Sequence, residues 1–486
     1  PLATEGTQEP HEHLEHLNQE STICALATST GGAIAIIRIS GPQAFSIVSS
    51  ICSVKCDESK ANTIHHTHIV DDDGEIVDEV LVSIFRAPHS YTGEDGIEIS
   101  CHGSRYVTKK ILETLVLHGC KMAGPGEFTQ RAYLNGKMDL SQAEAVADLI
   151  ASTNKSTHRI AMSQLRGHFS SELSRLRDQL LKLTSLLELE LDFSDHEELE
   201  FADRSELLQL THEISQHITT LAQSFETGQA IKNGIPVAIV GKTNVGKSTL
   251  LNALLNDNRA IVSDVHGTTR DTIEDTIDIN GVTFRFIDTA GIRHTNDQVE
   301  QIGIEHTYQA ISKARIVIWL LDDIPTETDK ADIIERCKDK AVIPAFNKSD
   351  IKEILNLSSD AKLQLRGKNP QSSNLKPQIS NLKSLKLSAK TGIGIEELKN
   401  RIFEEANIQK LSNDEVIVSN TRHYESLLHA QASIQRVLDG FQQQLSGDLL
   451  AEDLRLALEQ LADITGGQIT PQETLNNIFS HFCVGK

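Results

Sequence analysis

The residues best suited to chemistry lie in the stretch IPVAIVGKTNVGKSTLLNALL, where the pattern GxxxxGK[ST] runs from Gly241 to Ser248. An apolar strand pattern precedes it and a helical pattern follows, which is the context a phosphate-binding loop needs. Its glycines let backbone N–H groups curl around phosphate oxygens at a helix N-terminus. Lys247 reaches the β- and γ-phosphates, and the Ser248 hydroxyl ligates Mg²⁺. The nucleotide-binding set read here is Asn244, Val245, Gly246, Lys247, Ser248 and Thr249.

Three further stretches specify the base and the metal. FIDTAG puts Asp288 at a strand end, where it can hold the Mg²⁺ shell, and Gly291 where it can move with a γ-phosphate. FNKSD offers Asn347, Lys348 and Asp350. A carboxylate accepting from guanine N1–H and the exocyclic amine selects guanine over adenine. SAK, Ser388 with Ala389 and Lys390, follows as a loop that closes over the base. These elements in this order resemble the translation-factor-type GTPases, and GTTRD fits as their switch loop, with Thr269 on Mg²⁺. After DTAG stands Ile292, which cannot orient water, so the catalytic apparatus lies elsewhere. No arginine finger can be identified from the sequence: Arg270 and Arg293 read first as surface switch residues and only secondarily as catalytic groups.

The elements that must position these groups form three sections. Up to residue 139, β-branched runs such as AIAIIRIS, EVLVSIF and GIEISCHG are bounded by Gly, Pro and Ser, the pattern of an α+β domain. Leu173, Leu176, Leu180, Leu183 and Leu187 then recur at steps of three and four, one apolar stripe on a long helix. From 233 to 408 strand and helix patterns alternate, as in a parallel sheet with crossover helices. The remainder is helical again and is expected to pack with the earlier helices, which makes the α/β section an insertion. The expected boundaries are a disordered lead 1–20, a first domain 21–139, a helical domain in two parts, 140–232 and 409–486, and the inserted α/β domain 233–408. The Ser-, Asn- and Lys-rich segment 355–387 reads as a long surface loop or weak helix with no chemistry.

At 486 residues the chain accommodates about three domains of ~150 residues. No run of ~18 apolar residues could span a bilayer and no signal sequence opens the chain, so a cytoplasmic protein is expected. Seven cysteines without CxxC spacing suggest a reducing compartment, neither a disulfide framework nor a zinc site. A formal charge of −22 argues against a general nucleic-acid coat, because phosphate binding needs Lys and Arg; RNA handling would require a local patch or a partner.

Several motifs together, ATSTGGAIAIIRISGP, APHSYTGEDGIEISCHG, GPGEFTQRAYLNGKMDLSQAEAVADLI, GKTNVGKSTLLNAL, GTTRD, DTAGIR, VEQIGIEH and the terminal FCVGK, resemble the MnmE (TrmE) family of tRNA modification GTPases from Ser21 onward. The resemblance implies a Ras-like P-loop G domain inserted in a discontinuous helical domain, behind an N-terminal α+β folate-binding and dimerisation domain. It implies GTP hydrolysis assisted by K⁺ in the role of an arginine finger, held by Asn244 and by Ser263, Val265 and Thr268. A fixed cation can neutralise charge developing between the β- and γ-phosphates. The family's water-positioning glutamate falls on Glu300.

The implied folate contacts are Arg38, Glu98, Lys137 and Lys486, for 5,10-methylenetetrahydrofolate or 5-formyltetrahydrofolate. A carboxylate can pair with pterin N–H donors, and Arg or Lys with the glutamyl tail. From the residues alone Arg38 reads as an edge-strand charge and Lys137 as a turn residue. The implied partners are a second copy of the chain, the FAD-carrying flavoprotein MnmG (GidA) and tRNA, whose wobble uridine gains an aminomethyl-type group at C5. Cys483 in the tail is the candidate thiol nucleophile; the residues alone read it as a small buried hydrophobe beside the anchors Phe479 and Phe482. A second reading, a GTP-timed regulatory switch on ribosome or membrane, accounts for the nucleotide motifs but for neither the first domain nor the tail.

Overall fold

The computed structural model describes residues 21–192, 204–256, 275–287, 309–350, 384–407, 416–467, 472–480 and 482–485. The lead 1–20 and most of the Ser/Asn/Lys-rich segment lie outside the described residues. The chain divides into two compact units, one formed by Pro1–Ala151, Met162–Ile218 and Ser426–Lys486, the other by Ser152–Ala161 and Thr219–Glu425.

In the first unit, β1 (Ile23–Leu26), β2 (Ile34–Ser40), β3 (Thr63–Val70), β4 (Ile76–Phe85), β5 (Gly96–His102) and β6 (Lys121–Met122) form one sheet in the order β3-β4-β5-β2-β1-β6. All its pairings are antiparallel except β1 with β6. The strands alternate because one face is packed against two helices and the other is only partly covered. Ala35, Ile37, Ile39, Val80, Val82, Ile84, Ile97 and Ile99 point into a core shared with Phe45, Val48, Ile111 and Leu115 from the helices Ala44–Ile51 and Arg105–Leu117. The opposite face carries Ile34, Arg38, Leu81, Ile64 and Glu98. In the same unit the helix His168–Asp192 packs along Gly447–Thr465. The leucine stripe of residues 173–187 is buried throughout.

The second unit holds β7 (Ile235–Val240), β8 (Asp275–Ile279), β9 (Val282–Phe286), β10 (Ile316–Leu321), β11 (Ala341–Phe346) and β12 (Leu385–Lys386), in the order β12-β11-β10-β7-β9-β8. Only β8 runs antiparallel to its neighbour. Every residue of β10 is buried, as expected where apolar clusters cover both faces of a parallel sheet. The parallel strands all deliver their C-terminal ends to one rim, so the loops after β7, β11 and β12 can meet there. The unit also takes in residues 152–161 and the ends of the helices Arg204–Asn233 and Thr421–Gln442, so its border runs through helices.

Leu180 is fully buried in the helix that faces Gly447–Thr465. Leu180→Ala is expected to cost about 3 kcal/mol through lost transfer energy and a residual cavity. Urea unfolding should show an earlier midpoint with unchanged far-UV circular dichroism below the transition.

Candidate functional sites

The loop Gly241–Gly246 leaves β7 and opens into the helix Lys247–Asn256. Three of its residues adopt positive φ: Gly241, Gly246 and Asn244, the last at 62°, a conformation Asn tolerates better than most side chains. The Lys247 ammonium donates to the carbonyls of Gly241, at 2.7 Å, and Lys242, at 3.0 Å, and so stays folded into the loop. Burial pushes its pKa down. Ser248 and Thr249 lie in the helix's first turn, where free backbone N–H groups and the helix dipole favour anions.

Asn347, directly after β11, ties this loop to the next. Its side-chain amide donates to the Val245 carbonyl at 2.8 Å and its Oδ1 accepts from the Ala389 N–H at 2.9 Å. Ser349 N–H donates to Leu387 O, and the fully buried Ser388 accepts on its hydroxyl from Thr391 N–H. Lys348, at a φ of 63°, pairs with Asp322 at the end of β10, 3.0 Å away. Asp350 and Lys390 are exposed on the same two loops. The nucleotide residues Asn244–Thr249, Asn347, Lys348, Asp350 and Ser388–Lys390 therefore come from three linked loops at one rim. Ser263, Val265, Thr268, Thr269, Asp288, Gly291 and Glu300 lie outside the described residues.

A second cluster sits on the first unit's sheet. Arg38 of β2 and Glu98 of β5 are direct cross-strand partners, and the guanidinium reaches Glu98 Oε1 from Nη2 at 2.9 Å and from Nε at 3.0 Å. Both bonds land on one oxygen; among the described residues Oε2 takes none. Aromatic rings flank the guanidinium, Tyr91 at 5.1 Å and Phe128 at 5.7 Å from their centroids.

The C-terminal tail joins this cluster. Gly485 O accepts from Arg38 Nη1 at 3.4 Å, Val484 bridges to Pro125, and Gly126 N–H donates to Cys483 O. Gly485 has a φ of 93°, and a Cβ there would collide with the Leu26 carbonyl. The tail is anchored by Phe479 and Phe482, buried with Leu140 and Leu475. Cys483 itself is exposed. Lys137 donates to Pro88 O at 2.8 Å, on the loop that carries Tyr91. Arg38, Glu98 and the tail are thus together, Lys137 reaches the same loop, and Lys486 is outside the described residues. Tyr91 and Phe128 were missed by the motif reading; in a chain with only five tyrosines, the Tyr of HSYTG was the one available signal.

Two family models match the chain. One described as "GTP-binding protein TrmE N-terminus" matches residues 22–137, and one described as "MnmE helical domain" matches residues 140–483. Curated relatives named tRNA modification GTPase MnmE align almost end to end. The protein of Phocaeicola vulgatus is 50% identical, with 97% of this chain and 100% of its own length covered. That of Bacteroides thetaiotaomicron is 51% identical over the same shares, and that of Parabacteroides distasonis 52% identical over 96% and 100%. The chain belongs to the MnmE tRNA modification GTPases. As an MnmE-family GTPase it binds and hydrolyses GTP in tRNA modification, and tRNA is its substrate. Among the described residues no helix is long and apolar enough to cross a membrane.

Asn347→Ala removes both tethers between the phosphate loop and the Ser388 loop and leaves the Val245 carbonyl and Ala389 N–H unpaired. Guanine-nucleotide affinity is expected to fall by about 1–3 kcal/mol, roughly five- to 150-fold. Titration with a fluorescent GDP analogue measures it.

Proposed function

We propose that this MnmE-family chain is a K⁺-stimulated GTPase that works as a homodimer in the cytoplasm with an FAD-carrying flavoprotein of the MnmG (GidA) kind. Together they add an aminomethyl or carboxymethylaminomethyl group to C5 of the wobble uridine, position 34, of tRNA, with 5,10-methylenetetrahydrofolate or 5-formyltetrahydrofolate as the one-carbon source. In this reading residues 21–139 bind folate and dimerise, residues 140–232 and 409–486 form the helical domain, and residues 233–408 form the inserted G domain.

The observation that carries the proposal is the seating of the tail against Arg38. Gly485 accepts from the guanidinium, and two residues earlier Cys483 offers an exposed thiol. A flat heterocycle with N–H donors suits a carboxylate with one oxygen to spare, flanked by a stacked guanidinium. Lys137, and Lys486 beyond Gly485, would meet the folate's glutamyl carboxylates. Uridine C5 is a poor nucleophile until a thiolate adds at C6, which is the role proposed for Cys483. The dimer would use the open face of the first sheet, where Ile34 and Ile64 are 66% and 67% exposed.

In the G domain, Mg²⁺ would be held by Ser248 and Thr269. K⁺ would be held by Asn244, Ser263, Val265 and Thr268, with Glu300 positioning the attacking water. Asn244 is exposed on the phosphate loop, so its amide oxygen is open to a cation. The donors are all neutral oxygens, the chemistry a monovalent hard ion accepts.

Asn244→Ala should abolish stimulation by K⁺ while nucleotide binding persists; equal turnover in Na⁺ and K⁺ by the wild type would refute the potassium role. Glu300→Ala should lower GTP turnover by about 10²-fold or more with little change in affinity, measured by phosphate release. Cys483→Ser, compared with wild type in cells, should keep GTPase activity while wobble-uridine modification falls in nucleoside analysis of tRNA. Full modification by that variant would refute the nucleophile role.

A further inference from the structure

Two pairs of cysteines approach each other in the first unit, and nothing in the GTPase or the tail chemistry uses them. Cys24 and Cys120 are both deeply buried, at 0% and 3% exposure. Cys52 and Cys56 differ from one another: Cys56 is fully buried and Cys52 is half-buried.

The local fold brings the second pair together. The helix Ala44–Ile51 ends at Cys52, which is extended, and a 3₁₀ turn begins at Cys56. The chain between them reverses: the Cys52 thiol donates to the Val48 carbonyl at 3.1 Å and also approaches the Val54 carbonyl at 3.9 Å, which the Cys56 thiol approaches at 3.7 Å. The reversal is held on both sides. Ser49 Oγ accepts from Cys56 N–H at 2.9 Å, and Cys52 bridges to Ile69 of β3. Arg86 clamps the turn, donating to the carbonyls of Cys56 at 3.2 Å, Asp57 at 2.7 Å and Ser59 at 2.8 Å while its guanidinium lies 4.8 Å from the Phe45 ring. The sulfurs are therefore neighbours on a rigid turn.

We propose that Cys52 and Cys56 form a reversible thiol–disulfide exchange site, entered by low-molecular-weight disulfides at Cys52 and closed by Cys56. In the first step the Cys52 thiolate attacks a disulfide sulfur; a Cys52–S–S–R bond forms, the R–S–S–R bond breaks, and one thiolate leaves and takes up a proton. In the second step the Cys56 thiolate attacks the Cys52 sulfur and expels the second thiol. Two protein thiols are oxidised and one small disulfide is reduced to two thiols, so electrons and protons balance.

The electrostatics make Cys56 the base that can take the proton of the outer thiol. The hydrogen bond from Cys52 holds the Cys56 thiol down at about 7 against its burial, and the same contact pushes Cys52 up. The pair shares a proton: its transfer from Cys52 to Cys56 sulfur exposes the outer nucleophile, and its loss from Cys56 supplies the resolving one. Attack needs a sulfur that a small disulfide can reach, which the half-buried Cys52 is and the buried Cys24–Cys120 pair is not.

The test uses the folded full-length protein, oxidised glutathione as the probe, alkylation of remaining thiols, and peptide mapping by mass spectrometry without reduction. The expected product is a Cys52–Cys56 peptide lighter by two hydrogens, formed at least about tenfold faster than any Cys24–Cys120 link and reversed by dithiothreitol. Cys56→Ser should stop at a stable glutathione adduct on Cys52. Cys52→Ser should leave Cys56 reduced. A wild-type protein glutathionylated at the exposed Cys483 but reduced at Cys52 and Cys56 would overturn the proposal, as would equal oxidation of both pairs.

Discussion

One side-chain amide holds the nucleotide site together. Three loops separated by up to about 150 residues must present backbone and side-chain groups to a single ligand, and nothing in the sheet alone fixes their tips relative to one another. Asn347 does so by donating to the phosphate loop at Val245 and accepting from Ala389. It is almost fully buried, so both bonds operate without competition from water. Gly246 is constrained by the same contact, because a Cβ there would collide with the Asn347 amide. The glycine of the motif thus serves the neighbouring loop as well as the phosphate.

Legibility in the sequence followed the distance between cooperating residues. The phosphate loop was readable because its function is carried by eight consecutive residues whose spacing allows few other uses. The strands around Ile37, Val82 and Ile99 were readable because alternation or β-branched enrichment survives locally, and the leucine stripe because a helix repeats within its own length. The Arg38 cluster was not readable from the residues. Arg38 alone is an edge charge and Tyr91 a turn residue; they become a site through cross-strand register and through a tail 447 residues away. Only the family resemblance drew Arg38, Glu98 and Lys137 together. The Cys52–Cys56 contact fell between these cases: the i, i+4 spacing is visible, but it brings sulfurs together here through a helix end and a reversal, not along a helix face.

The acidic balance of the chain bears on how it meets its substrate. With a formal charge of −22 the molecule as a whole repels a polyanion, so its approach to tRNA cannot rest on long-range attraction to the entire surface. Recognition then depends on short-range groups at restricted places, and on whatever positive surface a bound partner adds. Separating a GTP-binding unit from the unit that carries the Arg38 cluster is compatible with such a division of labour, each unit having its own core and its own chemistry.

The seat of the tail on β2 also bears on the order of events during synthesis. Residues 21–139 can form their sheet early, since their strands pair only with each other. The arginine at its centre cannot receive Gly485 until the intervening segments and the residue 447 positions further on have been made. A nascent chain with its GTP-binding unit already folded would still expose an unfinished Arg38 cluster, and Val484 and Gly485 would be the residues that close it.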